Sequence, residues 1–537
     1  MPNYRKPKQM KELRKEKVLK ENEEKKLELI EEKISSDLET NIKMTKGILG
    51  EKTGDLVVRR FHIGADENFP AAAVFIDGLA GKDIIDDFIL KANMIENRGM
   101  KMDPNEPVTK QDLFKIVKQY SLTINEIGEA EEMRKIIRHI LSGDTAIFID
   151  GSEKAFGANT KGWEHRPVQE PKAESVIRGP REGFTETLRV NTALIRTRLK
   201  DPDLRIKHFA SGERTNTNIA VAFIEGVCED YLLKEVERRI ESIEIDGIIG
   251  SGYVEQLIED SHWSPFPTVQ YTERSDKVIG NLLEGRVVIL VDGTPFVLIA
   301  PSVLSQFYQS PEDYYERFWV ATFIRLIRLL SLFVALLAPS LYIAFTAFHP
   351  EMIPSELIIA IAAGRATVPF PSVVEAFIME ISIEILREAS VRLPGLIGPT
   401  IGIVGALVIG QAAVQAGLVS PLMVIIVSLT TIGSFASPSY SAATSIRLLR
   451  FPMMIMAGTF GLYGIMLFWL VIILHLCTLK SFGVPYVAPL SPSHFTDLKD
   501  VIFRAPVQWM SRRPLTVTPE DDVREVTKNP KGGGGHH

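Results

Sequence analysis

Between Leu393 and Ile446 the chain runs for fifty-four residues without an Asp, Glu, Lys or Arg. A helix of about 20 apolar residues is enough to cross the ~30 Å hydrocarbon core of a bilayer, so a run of this length constrains the fold toward membrane spans. It breaks at "GLVSP", near Pro421, into two hydrophobic segments. On either side lie "LLSLFVALLAPSLYIAFTAF" from Leu329 to Phe348, with Pro339 inside it, and "FPMMIMAGTFGLYGIMLFWLVIIL" from Phe451 to Leu474. Spans are expected near 325–348, 396–417, 420–437 and 451–477, within a membrane domain covering 311–480. Small residues such as Gly405, Gly410 and Ala413 suit close helix packing, and Gln411 and Gln415, on one face, are expected to meet protein or water.

Nearly all the charge lies before Arg328 or after Leu479, so the net charge of −6 averages two unlike halves. Arg317, Arg325 and Arg328 precede the first span, and an Arg excess marks the cytoplasmic end. The N-terminal region is therefore expected in the cytoplasm. The first twenty residues carry eight Lys or Arg and two Glu with no apolar run, unlike a secretory signal. Residues 1–40 read as a charged arm, with contact to anionic lipid or nucleic acid as the lesser alternative. Cys228 and Cys477 alone give neither a disulfide framework nor a metal site.

The soluble half contains a repeat. "DLVVRRFHIG" and "AAAVFIDG", from Asp55 to Gly78, return as "DLRIKHFASG" and "IAVAFIEG", from Asp203 to Gly226, at an offset of 148. "LSGDTAIFIDG" from Leu141 returns as "LEGRVVILVDG" from Leu283 at an offset of 142. β-Branched runs ending in Asp-Gly or Glu-Gly, followed by 3.6-period stretches, predict two duplicated α/β subdomains, over 41–165 and 166–310, the second including a linker. The fold class expected is α/β plus an α-helical membrane domain, with a tail over 481–537. In the linker "RGPREG" lacks the glycine pattern and Lys-Ser/Thr of a phosphate loop, and no catalytic arrangement or cofactor site is evident. Arg178, Arg181 and Glu182 are expected to clamp subunits or subdomains.

Between the first span and the long uncharged run lies "PFPSVVEAFIMEISIEILREASVRLPG". Ser372 and Glu375 have capping-box spacing and predict a helix over 372–392. Glu380, Glu384 and Glu388 recur at i, i+4 and i+8 and form one acidic stripe, with Arg387 and Arg392 close by. Three readings stay open: an interfacial amphipathic helix with a solvated stripe, a helix lining a cation pathway, and a buried Glu-Arg network joining subunits. A second pathway candidate is the face bearing Val424, Ser428, Thr431 and Phe435.

"VIRGPREGF", "TVQYTERSDKV", "GRVVILVDGTPFVLIAP", "EDYYERF", "FHPEMIP", "VPFPSVVEAFIMEISIEILREASVRLP", "IVGALVIGQAAVQAGLVSP" and "RLLRFP" together resemble the A subunit of bacterial spore germination receptors, from about Asp55 to Pro514. The resemblance implies a non-enzymatic, nutrient-responsive receptor subunit in the spore inner membrane, assembled with a transporter-like B subunit and a lipoprotein C subunit. It also implies a homo-oligomer, a pentamer, that conducts monovalent cations when a nutrient binds, with no nucleic-acid partner. Ser390 departs from the glycine expected of relatives. A-like proteins that act later in germination share most of these motifs. A secondary transporter and a non-conducting scaffold are the alternatives.

Overall fold

The computed structural model describes residues 29–51, 53–63, 69–86, 127–162, 170–171, 174, 176–391, 405, 408–492, 497–521 and 523–524. Most of the charged arm and most of the expected span at 396–417 lie outside these residues.

Each repeat builds one five-stranded sheet. The first holds β1 (Leu56–Ile63), β2 (Phe69–Ile76), β3 (Ile127–Ala130), β4 (Thr145–Ile149) and β5 (Ala155–Ala158), in the order β1-β2-β4-β5-β3. The second holds β6 (Leu204–Ser211), β7 (Thr217–Ile224), β8 (Gln270–Thr272), β9 (Val287–Val291) and β10 (Val297–Ala300), in the equivalent order β6-β7-β9-β10-β8. Registers repeat as well: Leu56 faces Ile76 as Leu204 faces Ile224, and Ala71 faces Ile149 as Ile219 faces Val291. These ladders are antiparallel throughout, which refines the α/β expectation: short turns join β4 to β5, β6 to β7 and β9 to β10, β2 with β4 and β7 with β9 pair across longer connections, and helices cover the faces.

In the first subdomain α1 (Leu38–Leu49) and α2 (Met133–Leu141) pack on one face. In the second, α3 (Leu188–Arg198) and α6 (Ser275–Leu282) cover one face, while α4 (Asp230–Glu241) and α5 (Ser251–Ile258) cover the other. Buried Arg196 of α3 joins the two, donating to both oxygens of Asp55 at 2.8 and 3.0 Å.

The C-terminal half is helical: α7 (Phe318–Ala347), α8 (Ser355–Arg365), α9 (Ser372–Val391), α10 (Pro421–Phe435) and α11 (Tyr440–Thr478). By length and composition α7 and α11 are long and apolar enough to cross a membrane, whereas α10 is shorter. α11 is not one rod. A straight helix would separate Ser445 from His475 by about 45 Å. Instead Ser445 Oγ donates to the Pro265 carbonyl and His475 Nε2 lies 2.9 Å from Ser264 Oγ, so both ends meet adjacent residues of one loop. The reversal falls at Gly461 (φ 61, ψ −138), and α11 is a helical hairpin against the far end of α7 at Phe348. The single span expected over 451–477 is thus two limbs.

The chain then returns to the second subdomain. The hairpin of β11 (Lys480–Ser481) and β12 (Val484–Pro485) follows α11, Ser481 Oγ donates to the Thr268 carbonyl (2.6 Å), and Phe482 and Val517 enter the subdomain core.

Candidate functional site

α9 starts where Pro369 and Pro371 restrict the preceding backbone. The Pro371 carbonyl takes the Glu375 amide (3.1 Å), so that amide is already satisfied without Ser372, and the Glu375 carboxylate turns elsewhere. Fully buried, it accepts from Arg365 Nε (3.1 Å) at the end of α8 and from Ser420 N (3.1 Å) and Oγ (2.9 Å) at the start of α10. Ser420 itself caps α10 through the Met423 amide, and Tyr342 of α7 reaches its hydroxyl at 3.0 Å. Instead of the expected capping box, Glu375 ties four helices together at the end remote from the sheets.

The three striped glutamates occupy different settings. Glu380 is 1% exposed; it accepts from Arg450 Nη1 and from Thr430 Oγ1 (3.2 Å), beside the apolar cluster of Met379, Met423, Val427 and Met453. Glu384 is partly open and meets Arg447 Nη1 at 3.0 Å and Arg387 Nη1 at 3.7 Å. Glu388, one turn further, is exposed. Arg387 also donates to Ser434 Oγ (2.7 Å) and lies over the Phe435 ring. The network sits within one chain, between α9, α10 and the first limb of α11. Nε of Arg387, Arg447 and Arg450 and Nη2 of Arg450 are buried without a partner. Such donors are costly in apolar surroundings, so this cluster is held by the fold rather than by its own energy.

Sequence spacing within α9 shows Arg387 but neither Arg447 nor Arg450. The usable signal lies in "RLLR": Arg447 and Arg450, three apart, share a helix face and match Glu384 and Glu380 in antiparallel register. Thr430, rather than the neighbouring Thr431, reaches the stripe, because Met423, Val427 and Thr430 form the packed face of α10. Ser428 is exposed and bonds its own helix at Val424 O (2.7 Å), and Thr431 does likewise at Val427 O (2.7 Å). Val424 is half-buried near Gly410. Gln411 and Gln415 are exposed, and Ser390 Oγ bonds back to Leu386 O (2.7 Å).

The linker residues do not converge. Arg178 lies 3.6 Å from Glu316, Arg181 lies 3.5 Å from Glu170, and Glu182 accepts from Arg198 at 2.7 Å, as three separate surface pairs. Two other buried groups hold the junctions: Arg274, on Asp276, Glu174 O and Pro180 O, and Asp313, shared by Arg325 and Arg328 at the start of α7. Among the described residues no cluster of His, Cys, Asp and Glu could hold a metal ion.

Comparison with known proteins gives this arrangement a setting. The profile described as Bacillus/Clostridium GerA spore germination protein matches residues 43–516. "Spore germination protein KA" of Bacillus subtilis (strain 168) is 46% identical over 92% of this chain and 89% of its own length. "Uncharacterized membrane protein YfkQ" of the same organism is 44% identical over 90% of this chain and 92% of its own. The crystal structure of the N-terminal domain of the A subunit of the Bacillus megaterium spore germinant receptor GerK3 is 33% identical, covering 51% of this chain and 98% of that one, with a TM-score of 0.39.

Proposed function

The chain belongs to the GerA spore germination protein family, and from that premise we propose that it is the A-type subunit of a germinant receptor whose copies assemble into a nutrient-gated cation channel. A role in spore germination comes with the family. The channel reading rests on one observation: a line of three carboxylates descends α9 among apolar helices, from Glu380, closed on Arg450, to Glu388, open at the surface. Carboxylates at membrane depth mark ion routes, and along this line burial falls from Glu380, at 1% exposure, to Glu388 at the surface. In an assembly of copies, a pentamer by resemblance, Glu388 faces hydrated monovalent cations and Glu380 holds the helix in place.

The topology we infer supports this. α9 runs antiparallel to the first limb of α11, from Val373 beside Gly458 to Glu384 beside Arg447. Counting α7, α9, the span expected over 396–417, α10 and the two limbs of α11, the chain makes six passes, and the tail returns to the side of the α/β domain. That side is the cytoplasm, the membrane is the spore inner membrane, and the partners are transporter-like and lipoprotein subunits.

The test is cation flux into liposomes holding the chain with its partner subunits. Nutrient-dependent K⁺ uptake is expected, with cation-over-anion selectivity lowered by Glu388→Gln. Absence of flux with assembly intact removes the channel reading and leaves the non-conducting scaffold, which the closed Glu380–Arg450 pair favours. Nutrient counterflow by this chain alone would indicate a transporter.

A further inference from the structure

Among the described residues three tryptophans stand out by exposure: Trp263 at 97%, Trp319 at 73% and Trp509 at 66%. All three lie at one end of the apolar helices. Trp319 is in the first turn of α7. Trp263 precedes Ser264 and Pro265, which hold both ends of the α11 hairpin. Trp509 belongs to a tail segment, 501–509, fixed along the start of α7: the Arg504 amide donates to Thr322 Oγ1 (3.1 Å), Arg504 Nε donates to the Asp313 carbonyl (3.2 Å), and Arg325 Nη1 donates to the Val501 carbonyl (3.3 Å).

This pinned segment is two-sided. Val501 and Arg504 are buried against α7, while Phe503, Val507 and Trp509 are each more than half exposed. Water gives no reason for a rigid strap to present three large apolar side chains outward. Their surroundings say what covers them. Phe323, 63% exposed on α7, is next to Thr322, and the exposed apolar surface continues along the same helix through Leu330 and Phe333. Exposed Arg317, Lys499 and Arg512 lie in the same stretches of chain. Aromatic rings with cations beside them, at the end of an apolar helix, match the layer between acyl chains and anionic head groups.

We propose that residues 501–509, with Trp319 and Trp263, form a collar seated in the lipid head-group layer on the side of the α/β domain. The collar rests on the reading that α7 and α11 lie in a bilayer. It fixes the depth of α7 and makes the tail a membrane-surface element rather than a free extension.

The experiment is tryptophan fluorescence of the full chain in liposomes containing anionic lipid, with bromine placed either near the head group or deep in the acyl chain. The signal of each ring is taken as wild type minus Trp509→Phe, Trp319→Phe or Trp263→Phe. Expected is quenching of these components by shallow bromine and little by deep bromine. Trp469, packed on Phe333 midway along the second limb of α11, is the internal control and is expected to respond to deep bromine. A quenched Trp469 with Trp509 and Trp319 insensitive to either bromine overturns the collar and leaves the membrane reading standing. An unquenched Trp469 overturns the membrane reading itself. Cross-linking of Phe503→Cys to a second copy, with no bromine response at Trp509, assigns the face to a subunit interface and likewise overturns the collar.

Discussion

Glu380 and Glu384 are neighbours on one face of α9, yet they answer to different physics. Glu380 is closed on Arg450 in apolar packing, whereas the Glu384 side chain keeps 30% of its surface. Removing one partner of a buried pair costs about 3–5 kcal/mol, because the other charge stays behind. Glu380→Ala is therefore expected to lower the melting temperature of the detergent-solubilised chain far more than Glu384→Ala. Glu380→Gln combined with Arg450→Met is expected to recover most of the loss. Equal melting for Glu380→Ala and wild type would show that the pair carries no stability. Glu255, on α5, offers a pH test: burial pushes its carboxyl up to about 7 from 4.5, with Glu259 adding to the rise. A raised carboxyl favours the protonated folded state, so this contribution is fully present below about 4.5 and is lost as pH rises through about 7. The fall in melting temperature of the full chain between about pH 5 and pH 8 is expected to be smaller in Glu255→Gln, and an unchanged fall rejects the assignment. The carboxylate stripe was legible in the sequence from its spacing alone. Arg387 was legible beside it, but Arg447 and Arg450 were not, since they stand sixty to seventy residues later, and Glu375 read as a cap for its own helix because nothing local pointed to Ser420.

At the scale of elements, apolarity told where α7 and α11 lie, because length and hydrophobicity are enough to mark a span. It could not tell that α11 doubles back. Gly is common in spans, and "GTFGLYG" offers three glycines within one apolar run, so the reversal leaves no break in hydropathy. Backbone geometry singles out the residue. Gly461 adopts φ 61 and ψ −138, a region essentially closed to side chains, and a Cβ there would lie 2.9 Å from Cβ of Phe348. Gly461→Ala is expected to cost about 1–3 kcal/mol in backbone strain, with a further clash against α7. The readout is thermal aggregation of the purified chain, with Gly364→Ala, in regular helix on α8 where a Cβ meets only Pro421 at 3.5 Å, as the comparison. Gly461→Ala melting at the wild-type temperature would mean that the hairpin tolerates a side chain and that the turn lies elsewhere. In the sheets the outcome was different. Their duplication was visible because strand anchors at offsets of 148 and 142 became equivalent partners in equivalent ladders. The hairpins β4–β5, β6–β7 and β9–β10 need only local turns, which a sequence displays openly, whereas the pairing of β2 with β4 and of β7 with β9 had to be read from the repeat itself.

Taken whole, the molecule grips its helical half at both ends with the second α/β subdomain. The chain enters α7 through Asp313, which holds Arg325 and Arg328, and it leaves α11 through a hairpin whose Phe482 is 2% exposed in the subdomain core. Nothing in the composition of the tail announced this return, since residues 481–524 carry no sustained periodicity and their hold depends on single side chains: Phe482, Tyr486, Val517 and Arg504. A buried Phe cut to Ala costs about 3–5 kcal/mol where the cavity cannot close. Phe482 packs among Val254, Ile258 and Val269, while Arg239 lies over its ring at 4.2 Å, so the surroundings are fixed from both faces. Phe482→Ala is thus expected to destabilise the α/β half although the substitution lies beyond the last apolar helix. Protease nicking of the second subdomain in the full chain reads this directly: cleavage should accelerate in Phe482→Ala and in a chain truncated after Leu479, but not in Val523→Ala, where the side chain is already exposed. If the truncated chain resists protease as the intact one does, the second subdomain closes its core without the tail. The two halves would then be joined only through Asp313 and the loop at Ser264, and motion in the α/β domain would reach α11 by one route instead of two.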